Sequence, residues 1–288
     1  MSIGARVAII PTGVLGYMFK EIGNDNLERF RIIYHQTTPY SNPIIETVLY
    51  QNKGGGMYYA GDLIDGNYLI FHRSGFAHIN FNPFDESINE EFFRGVDVFL
   101  KTNPAIPDYL MFYHTPAILL DYWKTQEKQY FRIRKRRRYQ IDENHFMTLD
   151  PASYAVPGSH QLIPLQQCPY EDLGVFELSL DSKFYDSREQ FLQNSFGFVL
   201  YNDENKPVSI SYLMCLVGRN SECDLKTLPD LRNKGYGYIN ITNYVRESIS
   251  RKINVGWDCF VDNHTNKWVK EYGYTHIIRE YDFVTFLK

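Results

Sequence analysis

The stretch from Glu222 to Gly237 reads Glu-Cys-Asp-Leu-Lys-Thr-Leu-Pro-Asp-Leu-Arg-Asn-Lys-Gly-Tyr-Gly, and its residue types point to anion binding. A strand ends, a loop turns, and a helix begins at two glycines. Gly235 and Gly237 let the backbone approach a ligand closely. Free N–H groups in a first helical turn form an anion site, which the helix dipole strengthens. Arg232 and Lys234 add positive charge beside it, a design suited to a pyrophosphate. The pattern is neither a Walker loop, since no Lys-Ser/Thr follows, nor the dinucleotide GxGxxG. The plainer alternative is a glycine-rich helix start with solvated charges. Ahead of the loop, strand alternation puts Glu222, Asp224 and Lys226 on one face and Cys223, Leu225 and Thr227 on the other.

The elements around this stretch have a clear order. Phe196–Tyr201 and Val208–Val217 read as strands joined by a turn at Asp203–Lys206, and Glu222–Thr227 as a short third strand. A helix follows from about Gly235 to Lys252, with Ile241, Val245 and Ile249 on one apolar stripe. Val255–Phe260 is a buried-type strand, Thr265–Tyr272 a second helix, and Thr275–Leu287 a strand-like close. Such an order means a mixed sheet with helices on its faces.

The first half also reads as α/β. Leu27, Phe30, Ile33 and Tyr34 fall at helical spacing. Gly54–Gly56 separates two strand-like runs, Ile44–Tyr50 and Met57–Gly61. Asn67–His72 and Tyr109–Tyr113 are further strands, and Ile88–Leu100 and Ala117–Gln129 are helices. Pro151, Pro157, Pro164 and Pro169 then disfavour long helix and suggest an extended connector. The chain is therefore divided near residue 150, into an α/β domain over 1–150 and a second domain over 151–288. No internal repeat of fixed period is visible. The one charge block, Arg132–Arg138, is expected to be a solvated connector, with RNA, a phosphate-rich ligand or an acidic partner as alternatives. As a strand it would carry charge on both faces.

Composition excludes several classes. The 288 residues hold 30 Lys+Arg against 34 Asp+Glu, a formal charge of −4, which argues against a dedicated nucleic-acid binder. With 44% hydrophobic and 22% charged residues the chain is not disordered or collagen-like. No window approaches the ~18 uninterrupted apolar residues of a membrane span. The apolar start, Ile3–Phe19, is broken by Arg6 and Pro11 and lacks a positive leader, so a soluble, cytoplasmic protein is expected. Cys168, Cys215, Cys223 and Cys259 form no CxxC pair and are expected as free thiols, with Cys259 packed and inert. The eight His show no HxxxH or HExxH spacing and no GxSxG is present, so neither a metal nor a hydrolase triad is expected.

The Arg232–Gly237 segment resembles the coenzyme-A-binding motif of the GCN5-related N-acetyltransferases (GNAT), Gln/Arg-x-x-Gly-x-Gly/Ala. Trp257-Asp258-Cys259 with Gly273-Tyr274 looks like the "WDC…GF" ending of the zwittermicin-resistance-type branch. Phe191-Leu192 with Phe196-Gly197-Phe198 is similar to its "FL…GFGF" segment, and Tyr58-Tyr59-Ala60-Gly61-Asp62 to its "YLxGD". The likeness is strong over about 185–288 and thin over 1–150. It implies an α/β protein whose C-terminal half has the mixed-sheet GNAT fold and whose smaller N-terminal half supplies part of the acceptor pocket. Acetyl-CoA would be the co-substrate. Its pantetheine arm would pair with the backbone of Leu225 and Thr227. Amides of Arg232, Asn233, Lys234, Gly235, Tyr236 and Gly237 would hold its pyrophosphate. The sheet would splay between this strand and Val255–Phe260 to admit the arm. An amine would attack the thioester directly, with a backbone N–H steadying the tetrahedral oxyanion.

That amine must be neutral, so a general base is useful. Glu222 is the first choice, because it matches an acidic position at the start of this strand in the branch, and Asp224 the second. Val269 stands where many members carry a Tyr acid, and Tyr272 and Tyr274 would point elsewhere on a helix. A thiol with a pKa of roughly 8.5 can leave without much help. Asp262 stands where a cofactor-side Asn is common. The expected acceptor is a small amine. Two rival readings are a non-catalytic acyl-CoA-binding module and an aminoacyl-transfer enzyme of tandem acetyltransferase-like fold. The oligomeric state is left open.

Overall fold

The computed structural model describes residues 19–38, 40, 42–51, 54–85, 87–126, 130–176, 183–267, 269 and 276–288. The chain divides into two compact units, one of Met1–Lys135 with Tyr281–Lys288, the other of Arg136–Glu280.

The first unit opens with α1 (Leu27–Thr37) and α2 (Pro43–Gln51). Helix α2 overturns the strand reading of Ile44–Tyr50. Asn42 Oδ1 accepts from the N–H groups of Ile44 and Ile45, and Pro43 takes the first helical position, where its missing N–H costs nothing. Every residue from Pro43 to Leu49 is buried. A run that is covered on all sides has no period to separate helix from strand.

Strands β1 (Gly55–Tyr59), β2 (Tyr68–His72) and β3 (Phe76–Asn80) then form an antiparallel meander. The sequence did not announce β3. Helix α3 (Glu90–Thr102) leads to β4 (Tyr109–His114), which pairs parallel to β3. Helix α4 (Ala117–Thr125) stops short of the expected Gln129, and 127–129 lie outside the described residues. The core of this unit gathers Leu69, Phe71, Phe99, Phe112 and Trp123.

The basic block is not a solvated connector. It is strand β5 (Phe131–Gln140), held by buried Phe131 and Tyr139. The chain divides inside this strand, after Lys135.

In the second unit β6 (Gln161–Pro164), α5 (Arg188–Asn194) and the antiparallel strands β7 (Gly197–Tyr201), β8 (Pro207–Val217) and β9 (Asn220–Thr227) come first. Helix α6 (Tyr236–Ser250) follows, then β10 (Asn254–Phe260), parallel to β9. Residues 136–140 of β5 pair antiparallel with β10. His264–Lys267 is a 3-10 turn, while 268 and 270–275 lie outside the described residues, among them Tyr272, Gly273 and Tyr274. The last strand is β11 (His276–Leu287); its Val284–Leu287 belong to the first unit and pair with β4 there.

The second unit thus has the expected mixed sheet, and the first, expected as α/β, has mixed strand pairing too. Each also runs three antiparallel strands, a helix, and a strand parallel to the third. The fold repeats where the sequence shows no repeat, because element order needs matching patterns and turns, not matching residues. Among the described residues no helix is long and apolar enough to cross a membrane.

Candidate active site

Helix α6 is fixed on its sheet by one buried side chain. Asn240 Oδ1 accepts from the Ser211 hydroxyl, and its Nδ2 donates to the carbonyls of Ser209 (2.8 Å) and Phe198 (3.2 Å). Ile241, Tyr244 and Val245 pack beside it against Leu213, Val255 and Trp257. Phe196 stacks on Tyr244 with ring centroids 4.9 Å apart. This docking sets where the helix starts.

The start is uncapped. Gly235 precedes α6 at φ 82°, ψ −5°, and as the N-cap residue it offers the first turn no side-chain hydrogen bond. The N–H groups of Tyr236, Gly237 and Tyr238 therefore have no acceptor within the helix. Asn233 is also left-handed, at φ 62°. A Cβ on Gly237 would lie 3.1 Å from Thr227 Oγ1 and 3.6 Å from Leu225 Cδ2, so the helix start sits directly on the end of β9. Arg232 Nε donates to the Thr227 carbonyl at 3.3 Å. Tyr236 and Tyr238 are steadied by His160 (3.3 Å) and Ser153 (3.2 Å), two residues the motif did not reveal.

Beside this start, two strands part. Strands β9 and β10 pair only at Asn220↔Asn254, Ser221↔Val255 and Glu222↔Gly256. Beyond that point β9 stays with β8 as far as Thr227, and β10 stays with β5 as far as Phe260. A register irregularity between Glu222 and Cys223 marks the separation. The Leu225 N–H is taken by Asp224 Oδ1 at 2.8 Å.

The carboxylates lie on the face away from α6. Cys223 and Leu225 pack into the core beneath the helix, as the alternation predicts. Asp224 Oδ2 accepts from the Tyr212 hydroxyl at 3.0 Å on the other side. Glu222 is 4% exposed and ion-paired with Arg138 of β5. Burial pushes its carboxyl up to about 6, against the pull of Arg138, and the nearby Asp258 adds to the rise. Arg138 Nη1 lies 3.9 Å from Asp258 Oδ2. Asp258 in turn pairs with Arg136, which also donates to the Asp258 carbonyl at 2.8 Å.

The structure brings Leu225, Thr227, Arg232 and Gly237 together and leaves Asn233, Lys234 and Gly235 exposed on the loop. Val269 is fully buried among Tyr139 and Trp257. Cys259 is buried, and desolvation pushes its thiol up. Asp258 lies inside the Trp-Asp-Cys motif and Arg138 inside the charge block, so both were visible as residue types. Their partnership was not. Among the described residues no three His, Cys, Asp or Glu side chains gather as metal ligands.

An uncapped helix start is suited to an anion, and the edge of a strand left by its neighbour to an extended chain. The chain matches the GNAT acetyltransferase family over residues 116–283, more than half its length, and it belongs to that family. Membership implies acyl-CoA-dependent acyl transfer. Among solved structures, a GCN5-related N-acetyltransferase-like protein from Streptococcus suis aligns at TM-score 0.67 and 17% identity, covering 91% of this chain and 99% of that one. A tandem GNAT protein from the clavulanic acid biosynthesis pathway aligns at 0.57 and 12%, covering 93% and 97%. A GNAT-family acetyltransferase from Colwellia psychrerythraea aligns at 0.51 and 12%, covering 94% and 99%. At these identities the likeness is one of fold. No curated protein sequence matches.

Proposed function

We propose that the second unit transfers an acetyl group from acetyl-CoA to the amine of a small molecule, as the zwittermicin-resistance-type branch it resembles would. The observation that carries this reading is the uncapped α6 start set on the end of β9, where β9 and β10 separate. Amides from Asn233 to Gly237, with Arg232 and Lys234 beside them, suit the diphosphate. Leu225 and Thr227 line the edge of β9 that β10 leaves, so the arm would run along them. Binding there would draw the Leu225 N–H away from Asp224.

Glu222 is the proposed base. A carboxyl with a pKa of about 6 is largely ionised at neutral pH yet basic enough to take a proton from an ammonium. Asp224 is the second choice, since its oxygens already accept from Tyr212 and Leu225.

Among the described residues of the first unit, the corresponding helix start is closed to an anion. Helix α3 is capped by Asn89, whose side chain accepts from Phe92 N–H at 3.1 Å, and Glu90 and Glu91 follow at once. A diphosphate would meet an occupied donor and two negative charges. One cofactor per chain is the consequence.

The test is incubation with acetyl-CoA and a panel of small amines, following thiol release and weighing the products. An acetylated amine supports the reading. Saturable acetyl-CoA binding with no turnover across a broad panel overturns it and favours a binding module.

A further inference from the structure

We propose that Arg138 is the positioning residue for Glu222, a guanidinium delivered by β5 that fixes where the carboxylate sits and keeps it ionised on the face opposite α6. This rests on Glu222 being the base.

Four charged side chains are withdrawn from water together. Side-chain exposure is 5% for Glu222, 10% for Arg138, 3% for Asp258 and 13% for Arg136. Buried charges persist only when paired. Here they alternate in sign, Glu222 to Arg138 to Asp258 to Arg136, and sum to zero. Arg136 also lies over the Phe260 ring, 4.8 Å from its centroid, which holds the far end of the row.

Space for Arg138 is built into the sheet. Gly256 is the register partner of Glu222, and a Cβ there would overlap the Arg138 guanidinium. Glu222 is also the last residue of β9 that β10 pairs, so the row ends where the two strands open.

The groups facing Glu222 can be named element by element. Asp224 shares its face on β9, and Cys215 of β8 stands opposite it in the ladder. Strand β10 contributes Asp258, and β5 contributes Arg136 and Arg138. Helix α6 packs on the other face. Arg138 and Asp258 therefore act on one carboxylate with opposite sign. Without Arg138, a buried Glu222 favours its protonated form; without the Asp258 charge, it favours the ionised form.

The test uses the full chain, acetyl-CoA and an amine it acetylates, with kcat/KM followed from about pH 5 to about pH 9. The unsubstituted protein should gain activity through a limb near the Glu222 value of about 6. Arg138→Gln should move that limb up by about one unit or more. Arg138→Lys should restore most of its position, and Asp258→Asn should move it down. A purely structural pair would lower rate or melting temperature and leave the limb in place. Unmoved limbs in both Arg138 variants, or shifts of one sign in Arg138→Gln and Asp258→Asn, overturn the proposal. If Arg138→Gln does not fold, Asp258→Asn decides: a downward shift supports it and an unmoved limb overturns it. Glu222→Gln, run in parallel, separates the two readings. Full activity there sinks the base assignment itself, whereas an inactive Glu222→Gln with unmoved Arg138 variants sinks only the positioning role.

Discussion

Gly235 offers the cleanest perturbation of the proposed cofactor loop. It is left-handed at φ 82°, and a Cβ there would meet nothing within 4 Å. Substitution therefore costs backbone strain and no collision. For an L residue held left-handed that is about 1–2 kcal/mol, with Asn paying less because its side chain tolerates this region. On a domain-sized unit, 1 kcal/mol corresponds to a melting shift of about 2–4 °C. The loop can avoid the strain only by rotating a peptide next to residue 235, which turns an N–H out of the first turn of α6. A hydrogen bond to a charged group is worth about 1.5–3 kcal/mol, so one lost amide weakens acetyl-CoA binding about tenfold or more. Gly235→Ala should thus melt a few degrees lower, or bind about tenfold more weakly, or show part of each. Gly235→Val should do worse on both counts, since β-branching makes the left-handed region harder still. Gly235→Asn should stay near the original protein. Titration calorimetry with acetyl-CoA and thermal scans on the three variants provide the check. If Ala and Val variants bind and melt like the parent, the amides near Tyr236 do not hold the diphosphate.

Glu222→Gln should reduce kcat/KM by about 10²–10⁴ with acetyl-CoA affinity unchanged, as steady-state kinetics beside calorimetry would read. The same carboxyl carries a stability signature. Its folded pKa of about 6 lies above the ordinary 4.5, so folding favours the protonated form, and stability falls as pH rises between those values. The amount is about 2 kcal/mol, and urea denaturation of the parent minus Glu222→Gln across that window should show it. Acetyl-CoA should bind at one site per chain; two equivalent sites in a calorimetric isotherm would contradict the capped α3 start. Asn240→Leu should cost about 2–4 kcal/mol, because it leaves the Ser209 and Phe198 carbonyls and the Ser211 hydroxyl buried without their partner.

The glycine loop was legible because a helix start is local chemistry. Asn233, Gly235 and Gly237 carry its turn and its close approach within a few residues, and the strands on either side have alternating or β-branched patterns. Helix α2 was not legible, since Ile-Ile-Glu-Thr-Val-Leu is buried on every side and only Asn42, one residue ahead of Pro43, marks it as a helix. Strand β3 hid behind the tight turn at Arg73–Gly75, where φ reaches 91° at Gly75. The charge block misled for a different reason. Seven residues of mostly Arg look solvated by composition, yet the partner of Arg136 is Asp258, 122 residues away. Local spacing carries no information about a pairing at that distance.

The two units show what separates a closed copy of this fold from an open one. In the first, β3 and β4 remain paired through a register shift to His78↔His114, whose rings stack 4.8 Å apart. The helix that follows β3 is capped by its own Asn89 and begins with acids. In the second, pairing ends at Glu222↔Gly256, and the helix after β9 begins at a left-handed glycine with no cap, preceded by Arg232 and Lys234. Each difference closes the first unit at this point and leaves the second with a helix start that no N-cap side chain covers and with the half-buried ends of β9 and β10 unpaired to one another. Backbone donors held away from their own acceptors cost stability, and a fold keeps them only where something else completes them. On the proposed reading, the same element order yields a scaffold where side chains close the gap, and a site where a ligand would.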